Sequence, residues 1–535
     1  MTAPDREAPG AGRVLRLLLP AAACVVGLIF QFHPMFLAGF DATPGDPGDS
    51  RLSNDLLEHT FLWAVGRPDH AAFWNLPMFH PAPNVTAYSE SFLAVAPVYW
   101  FWRTLTPPAD TAFQLWLMSM ASLNFIGCYL LLRRALAFDP PAASLGSFIY
   151  AFGNSRTAQL HHAQLLPAIF SLLALLCLAR LLREPTSRGT LWLAAAIACL
   201  VAQAYASYYL AWTFCFGLGL FLLCCMFDRP CREAILAIRL TWPSALLCLA
   251  AMALAAPLLI HGLAVVRETG WYPFASLEPM LPRPQSWFYM GRRSWLYFGA
   301  RNLPLFTAIP AEHEQRIGLG IATTICAAIG LWRQRQRPWV KPLALASAAL
   351  VVLTTRWPHD VVLWRAVYRL VPGAGGIRVV SRAGLLMLLP AALGVAGWSQ
   401  RRHRTWLTAL AAALCVLEQG YSETTWPKLQ FRAVAERVAA AVPPACGSFY
   451  IAMRARPNGD PSAWLHQMDA VSAQIVAGVP TINGYSGHVP KGYEELADNV
   501  IETAADERRL RQSFDRWTVA WRLTGACFVV VPTPY

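Results

Sequence analysis

The densest group of side chains that could do chemistry lies near the N-terminus, in the run GFDATPGDPGDSRLSNDLLEH. Asp49 and Arg51 stand directly before an apolar helix start, and Asp46 precedes them. One interpretation is that Asp49 or Ser50 caps a helix beginning at Arg51. The other is a general base beside an arginine that binds phosphate. Pro-Gly-Asp sequences also form turns without any function, so residue type alone leaves the interpretations open.

The same polar stretch continues as FWNLPMFHPAPNVTAYSESF, in which aromatic residues and prolines flank His80, Tyr88 and Glu90. This composition suits a sugar or lipid-headgroup site at a membrane interface. For His80, which precedes Pro81, a loop-stabilising role is the simpler interpretation.

Three later segments add candidates. His161 and His162 suggest a metal, but no acidic residue lies near them in sequence, which weakens that hypothesis. Glu314 stands in EHEQR, directly before an apolar segment. Arg378 and Arg382 in PGAGGIRVVSR are four residues apart and would share one face of a helix. Arginines at an outer bilayer surface usually have an anionic partner, and a lipid phosphate is the obvious one.

The composition determines what kind of elements must hold these residues. The 535-residue chain is 56% hydrophobic and 14% charged, with a mean hydropathy of +0.38, whereas soluble proteins carry about 25% charged residues. A soluble enzyme, a disordered chain and a fibrous repeat are therefore excluded, and a polytopic α-helical membrane protein is predicted. The net charge of +13 does not indicate nucleic-acid binding, because the arginines lie in short clusters between apolar blocks and no binding motif is present.

Positively charged loops stay on the cytoplasmic side of a membrane. Placing the clusters Arg133-Arg134, Arg333–Arg337 and Arg401–Arg404 there predicts about eleven transmembrane helices and a cytoplasmic N-terminus. The run Phe92–Thr104 then lies in the interface and does not cross. The predicted transmembrane module covers residues 1–421, and its large outer loops are 41–111, 263–316 and 356–382.

The remainder, residues 422–535, has the composition of a soluble protein and predicts a small α/β domain outside the membrane. The expected strands are Gly447–Met453 and Ala526–Val531, and the expected helices are Glu494–Thr503 and Asp506–Leu523. Cys446 and Cys527 each lie at the start of a strand, so either a disulfide in an oxidising compartment or two buried thiols is expected. Asn483–Ser486, which includes Tyr485, reads either as a tight turn or as a segment facing an acceptor.

Several of these pieces together resemble the GT-C-type integral-membrane glycosyltransferases, in particular a bacterial branch of YfhO-like and mannosyltransferase-like membrane proteins. The similarity extends over nearly the whole chain, although each motif by itself is loose. The motifs that carry it are GDPGDSRL (Gly45–Leu52), FHPAPNVTAYSE (Phe79–Glu90), QLHHAQLLP (Gln159–Pro167), EHEQRIGLG (Glu312–Gly320), PGAGGIRVVSR (Pro372–Arg382) and VPTINGYSGHVP (Val479–Pro490).

The resemblance implies a polyprenyl-phosphate-linked sugar donor, an acceptor in the cell envelope, and transfer with inversion on the outer face of a bacterial inner membrane. It also implies an essential acid in the first outer loop, for which Asp49 matches best and Asp46 second, and donor-phosphate arginines at Arg51, Arg378 and Arg382. The adjacent acidic pair common in such enzymes is replaced here by Asp49-Ser50, so a divalent Mg²⁺ or Mn²⁺ ion is left open.

The substrate-binding candidates are His80, Tyr88, Glu90, His161, His162, Glu314 and Tyr485. A non-catalytic scaffold of the same fold and a transporter of lipid-linked glycans are the alternatives. A transporter is expected to carry charged residues within its spans, and these spans are nearly free of acidic residues.

Overall fold

The structure is a computed structural model that describes residues 11–183, 189–238, 241–400, 406–455 and 462–533. Most of it is helical. Up to the second outer loop the elements are α1 (Ala11–Leu37), β1 (Ala42–Pro44), α2 (Asp49–Ala64), α3 (Ala96–Leu105), α4 (Ala109–Leu130), α5 (Pro140–Phe152), α6 (Asn154–Thr157), α7 (Ile169–Arg183), α8 (Gly189–Ala206), α9 (Tyr208–Met226), α10 (Arg229–Leu236), α11 (Trp242–Leu254) and α12 (Ala256–Thr269).

After α12, short elements alternate with apolar helices. These are α13 (Phe274–Leu277), α14 (Pro304–Thr307), α15 (Ile321–Arg333), α16 (Val340–Thr354), β2 (Arg356–Trp357), β3 (Val361–Val362), α17 (Trp364–Leu370), α18 (Leu388–Ser399) and α19 (Trp406–Leu417). A 3₁₀ segment, Val380–Met387, runs directly into α18.

The C-terminal elements form a mixed α/β unit. They are β4 (Thr425–Pro427), α20 (Lys428–Ala440), β5 (Ser448–Arg454), α21 (Ala463–Ala477), β6 (Val500–Ile501), α22 (Ala504–Ala520) and β7 (Ala526–Pro532).

Six helical segments of the described residues are long and apolar enough to cross a membrane, and the bent pair α11–α12, which breaks by 45°, adds a seventh if it counts as one span. The six segments are Leu18–Leu37, Ala109–Ala135, Ala163–Arg183, Gly189–Ala206, Tyr208–Met226 and Val380–Ser399. By length and composition the chain is therefore a multi-pass membrane protein.

The predicted number of about eleven spans stays a prediction. Among the described residues, α15, α16 and α19 are shorter apolar helices and α5 has 13 residues. The basic cluster Arg401–Arg404 lies outside the described residues. In the region expected to lie in the interface, α3 has 10 residues, about 15 Å of helix, which is too short to cross a bilayer.

Helix α2 carries the first candidate acid at its N-terminus. It packs against α3 and α4 of the membrane-spanning part and against α21 of the C-terminal unit. Most of its residues are buried, including polar ones such as Asp55, Glu58 and His59. Among these polar groups, Arg51 pairs with Asp469 of α21 and Glu58 pairs with Arg103 of α3, so α2 links the C-terminal unit to α3.

The C-terminal sheet is parallel, with β5 between β6 and β7. Side chains alternate along β5, so Phe449, Ile451 and Met453 face α20 and α21, while Tyr450 meets Phe514 of α22 on the opposite face. Cys446 and Cys527 form a disulfide with a Cα–Cα distance of 5.7 Å.

The two predicted strands are confirmed as β5 and β7, and the last predicted helix as α22, which begins at a capping box between Thr503 and Asp506. The helix predicted over Glu494–Thr503 is wrong. Only Glu494–Leu496 is helical there, as a single 3₁₀ turn, because Val500 and Ile501 pair with the edge of β5.

Candidate active site

Asp46, and not Asp49 or Ser50, caps the start of α2. Its Oδ1 atom accepts hydrogen bonds from the backbone N–H groups of Gly48 (2.7 Å) and Asp49 (2.9 Å). Gly45 before it has a φ of +108°, and an added Cβ there would lie 2.9 Å from the Cα atom of His161. The cap is thus provided from outside the helix, which leaves the carboxylate of Asp49 free to face a cavity.

The Asp49 carboxylate has a different partner on each oxygen. Oδ1 accepts a hydrogen bond of 2.9 Å from the hydroxyl of Tyr485. Oδ2 lies 2.8 Å from Nδ1 of His162, at ion-pair distance. The side chain of Asp49 keeps 33% of its surface exposed, whereas that of His162 keeps 9%. Asp49 is therefore held on one side and open on the other.

His162 joins Asp49 to a second carboxylate. Its Nε2 atom lies 3.0 Å from Oε1 of Glu314, which Arg382 contacts with two nitrogens at 2.6 and 3.1 Å. Carboxylates only accept hydrogen bonds, so the His162 ring attracts both neighbours only in its doubly protonated, positively charged form. The order Asp49, His162, Glu314, Arg382 is consequently a chain of alternating charges.

The pKa shifts agree with this charge pattern. Burial alone would raise the pKa of Asp49, but the charge of His162 outweighs it and holds the pKa below its usual range. Burial would also raise the pKa of Glu314, but Arg382 and His162 lower it well below its ordinary value. Burial and Arg382 lower the pKa of His162, but the two carboxylates more than offset them and raise it. Asp49 is therefore an anion at neutral pH.

Next to Asp49 lies an open cleft with a cavity volume of about 110 Å³. Its walls come from α2, the loop before α3, the loop before α7, the start of α9, the loop after α12 and the segment before α18. The residues that line it are Asp49, Leu52, Ser53, Tyr88, Ser89, Glu90, His162, Gln164, Tyr208, Tyr209, Tyr272, Gly376, Arg378, Val379, Arg382 and Gly487.

Arg378 and Arg382 supply the positive charge of the cleft. Arg382 is buried, is paired with Glu314, and lies over the ring of Tyr209 at 5.4 Å. Arg378 lies over the ring of Tyr272 at 5.5 Å. No ion pair of Arg378 is found within the part of the chain that the structure describes. Arg378 is thus the guanidinium in the cleft that is best placed to take an anion from outside.

Two of the predicted loop residues also line the cleft. The buried carboxylate of Glu90 accepts hydrogen bonds from the backbone N–H of Tyr208 (2.7 Å) and the hydroxyl of Ser207 (3.0 Å) at the N-terminus of α9. Burial raises the pKa of Glu90 to about 8, although these donors oppose the shift. The hydroxyl of Tyr88 donates to Glu268, a residue of α12.

The fold places an acidic residue beside the histidine pair, which the sequence did not indicate. The ligand atoms of His161, His162 and Glu314 lie within 4.8 Å of one another. Two imidazoles and one carboxylate do not fit Mg²⁺ or Mn²⁺, which prefer oxygen ligands. A metal would also have to displace Arg382 and His162 from Glu314. We therefore derive no step through a metal ion.

Six of the predicted site residues do not line the cleft: Asp46, Arg51, His80, His161, Glu314 and Tyr485. Arg51 does not face a lipid phosphate as predicted, because its guanidinium is buried against Asp469 at 2.8 Å and lies over the ring of Phe431. That partner neutralises it. His80 does not line the cleft either; its backbone N–H donates to the carbonyl of Thr481.

Sequence reasoning missed Tyr208 and Tyr209, which also line the cleft. Only their positions at the ends of predicted spans could have suggested them, and many other residues share that position.

No protein-family model and no curated protein sequence matches the chain. Among solved structures, the arabinofuranosyltransferase AftD from mycobacteria is similar at 15% identity and a TM-score of 0.47, over 82% of this chain and 29% of that one. The oligosaccharyltransferase AglB from Archaeoglobus fulgidus, solved with an inhibitory peptide and a dolichol-phosphate, is similar at 11% identity and a TM-score of 0.48, over 95% of this chain and 69% of that one. The chain thus spans less than a third of the mycobacterial enzyme.

Proposed function

We propose that the chain is a membrane glycosyltransferase that moves a sugar from a polyprenyl-phosphate donor to an acceptor hydroxyl, with inversion at the anomeric carbon. The observation that carries the proposal is the cleft itself, in which an ionised Asp49 and the guanidinium of Arg378 line the same space next to apolar helices. The motifs quoted above resemble the GT-C-type enzymes, and this resemblance supports the same reaction class.

In this reaction Asp49 acts as the general base, and the two arginines stabilise the leaving group. Asp49 accepts the proton of the acceptor hydroxyl as its oxygen attacks the anomeric carbon, and the bond from that carbon to the phosphate oxygen breaks. Polyprenyl phosphate leaves with the electron pair, and Arg378 stabilises its charge, with Arg382 behind it. One displacement inverts the configuration. The bulk of the lipid tail stays among the membrane-spanning helices.

In this proposal the outer loops and the C-terminal unit, residues 422–535, lie on the periplasmic side of a bacterial inner membrane, with about eleven spans and a cytoplasmic N-terminus. The acceptor, a glycan, lipid or protein of the cell envelope, reaches Asp49 from that side. Tyr88 and Glu90 lie where the sugar ring would be bound.

The test is turnover in proteoliposomes. Wild type and Asp49→Asn are supplied with a panel of polyprenyl-phosphate sugars and crude envelope acceptor, and released polyprenyl phosphate is measured. Asp515→Asn, an exposed surface change of the same kind, is the control. We expect Asp49→Asn to lose about 100-fold or more in turnover, the range attributed to general bases, while Asp515→Asn keeps wild-type turnover. Equal turnover in all three proteins would refute the role of Asp49, and no turnover in wild type would favour the non-catalytic scaffold.

A further inference from the structure

A short C-terminal segment, residues 484–488, covers the cleft; we call it the roof segment. It touches three separate walls. The hydroxyl of Tyr485 donates to Asp49 of α2. The hydroxyl of Ser486 donates to the backbone carbonyl of Tyr88 at 3.1 Å. The ring of His488 stacks on Tyr272 with centroids 4.1 Å apart.

The roof segment is fixed from behind by buried amides. The Asn483 side chain accepts from the N–H of Ile451 at 2.7 Å and donates to the Ile451 carbonyl and to Gln467. The N–H of Gly484 donates to the same Gln467 oxygen. The roof segment is therefore anchored to β5 and α21, and the position of Tyr485 is fixed by the C-terminal sheet and not by the membrane helices.

Tyr485 does not itself line the cleft. Its ring packs beside Trp464, and its hydroxyl is hydrogen-bonded to Oδ1 of Asp49 while His162 lies at Oδ2. Two different groups thus hold the two oxygens of one carboxylate. A carboxylate offers about four acceptor positions, so the remaining ones can still receive a hydroxyl proton from the cleft.

We propose that Tyr485 is a positioning residue: by holding Oδ1 of Asp49, it fixes the orientation in which this carboxylate meets the acceptor hydroxyl. The C-terminal unit thereby completes the active site. This inference deepens the proposed function and rests on it, because it concerns the rate of the same transfer. It also replaces the predicted role of Tyr485 in binding substrate.

The first test removes only the hydroxyl. Tyr485→Phe is expected to lower kcat about tenfold or more, since a base misplaced by about 1 Å can cost up to 100-fold, and to leave the donor KM within twofold. Tyr450→Phe is the matched control, because it removes a tyrosine hydroxyl that donates to the Leu496 carbonyl inside the C-terminal unit. Unchanged kcat in Tyr485→Phe, or a raised KM with unchanged kcat, would overturn the proposal.

A second variant displaces the hydroxyl without altering either partner. A Cβ at Gly48 would lie 2.7 Å from the Tyr485 hydroxyl oxygen, its closest contact, and 3.0 Å from both Oδ1 of Asp46 and a ring carbon of Trp464. Gly48→Ala is therefore expected to reproduce the fall in kcat of Tyr485→Phe, and the two changes combined are expected to do little more than either one. Independent, multiplying effects would overturn the proposal.

The contact can also be tested without turnover, which separates this proposal from the proposed function. The Tm of Asp49→Ala, Tyr485→Phe and the double variant is measured in detergent. Non-additive shifts are expected if the hydrogen bond is present, whereas additive shifts would overturn the proposal even where no donor is consumed. If the shifts are non-additive but wild type turns over no donor, the contact stands and the positioning role falls together with the proposed function.

Discussion

The buried pair of Glu314 and Arg382 offers the sharpest test of the charge chain behind Asp49. The side chains of the two residues keep only 4% and 7% of their surface exposed, and two nitrogens of Arg382 reach the carboxylate at 2.6 and 3.1 Å. Removing Arg382 takes both of these contacts from the buried carboxylate of Glu314 and leaves it with His162. Arg382→Gln is therefore expected to lower the free energy of unfolding by about 3 kcal/mol or more.

Removing both charges should cost less than removing one. In the double variant Glu314→Gln and Arg382→Gln, no unpaired charge remains and the two amides can still hydrogen-bond. We expect the double variant to recover about 2 kcal/mol relative to Arg382→Gln alone. Arg454→Gln is the control, because the exposed pair of Arg454 and Glu507 should contribute less than about 1 kcal/mol.

The assay is equilibrium unfolding in mixed detergent micelles, measured by circular dichroism. It compares wild type with Arg382→Gln, Glu314→Gln, the double variant and the control Arg454→Gln. If the loss of stability in the double variant equals the sum of the losses in Arg382→Gln and Glu314→Gln, the two residues are not energetically coupled. The alternating chain from Asp49 to Arg382 would then not be what orders the cleft.

Three further predictions follow. Burial raises the pKa of Asp55 to about 7, so Asp55 keeps a proton in the folded protein that it releases in the unfolded chain. The Tm should therefore fall as pH rises from about 4 to about 7, and Asp55→Asn should reduce this fall. Burial lowers the pKa of His59 to about 4, so stability should fall as pH drops from about 6.5 to about 4, and His59→Gln should lessen that fall. EDTA should leave turnover within about twofold of the untreated protein, because the carboxylate of Glu314 already binds Arg382 and His162 and is not free to hold a metal ion. A loss of turnover in EDTA that Zn²⁺ restores would refute this prediction.

Short-range sequence patterns were sufficient to predict several features of this protein. The low charge and the long apolar runs predicted a multi-pass helical protein, and short apolar runs predicted β5 and β7. The cluster around Asp49 was recognised from residue types alone, because a carboxylate directly before a helix has few functions. These features depend on neighbours within a few residues along the chain.

What the sequence did not determine was the partner of each charge. His162 lies 152 positions before Glu314, and Arg51 lies 418 positions before Asp469, which neutralises it. Tyr485 reaches Asp49 across 436 positions. A buried ionisable group acquires its role from whatever the fold brings within about 4 Å, because Coulomb attraction and desolvation act over such distances in space and not along the chain. The sequence by itself predicted the long apolar helices and the candidate acid. Tertiary packing alone decided which arginine remained available for an anion and which was neutralised.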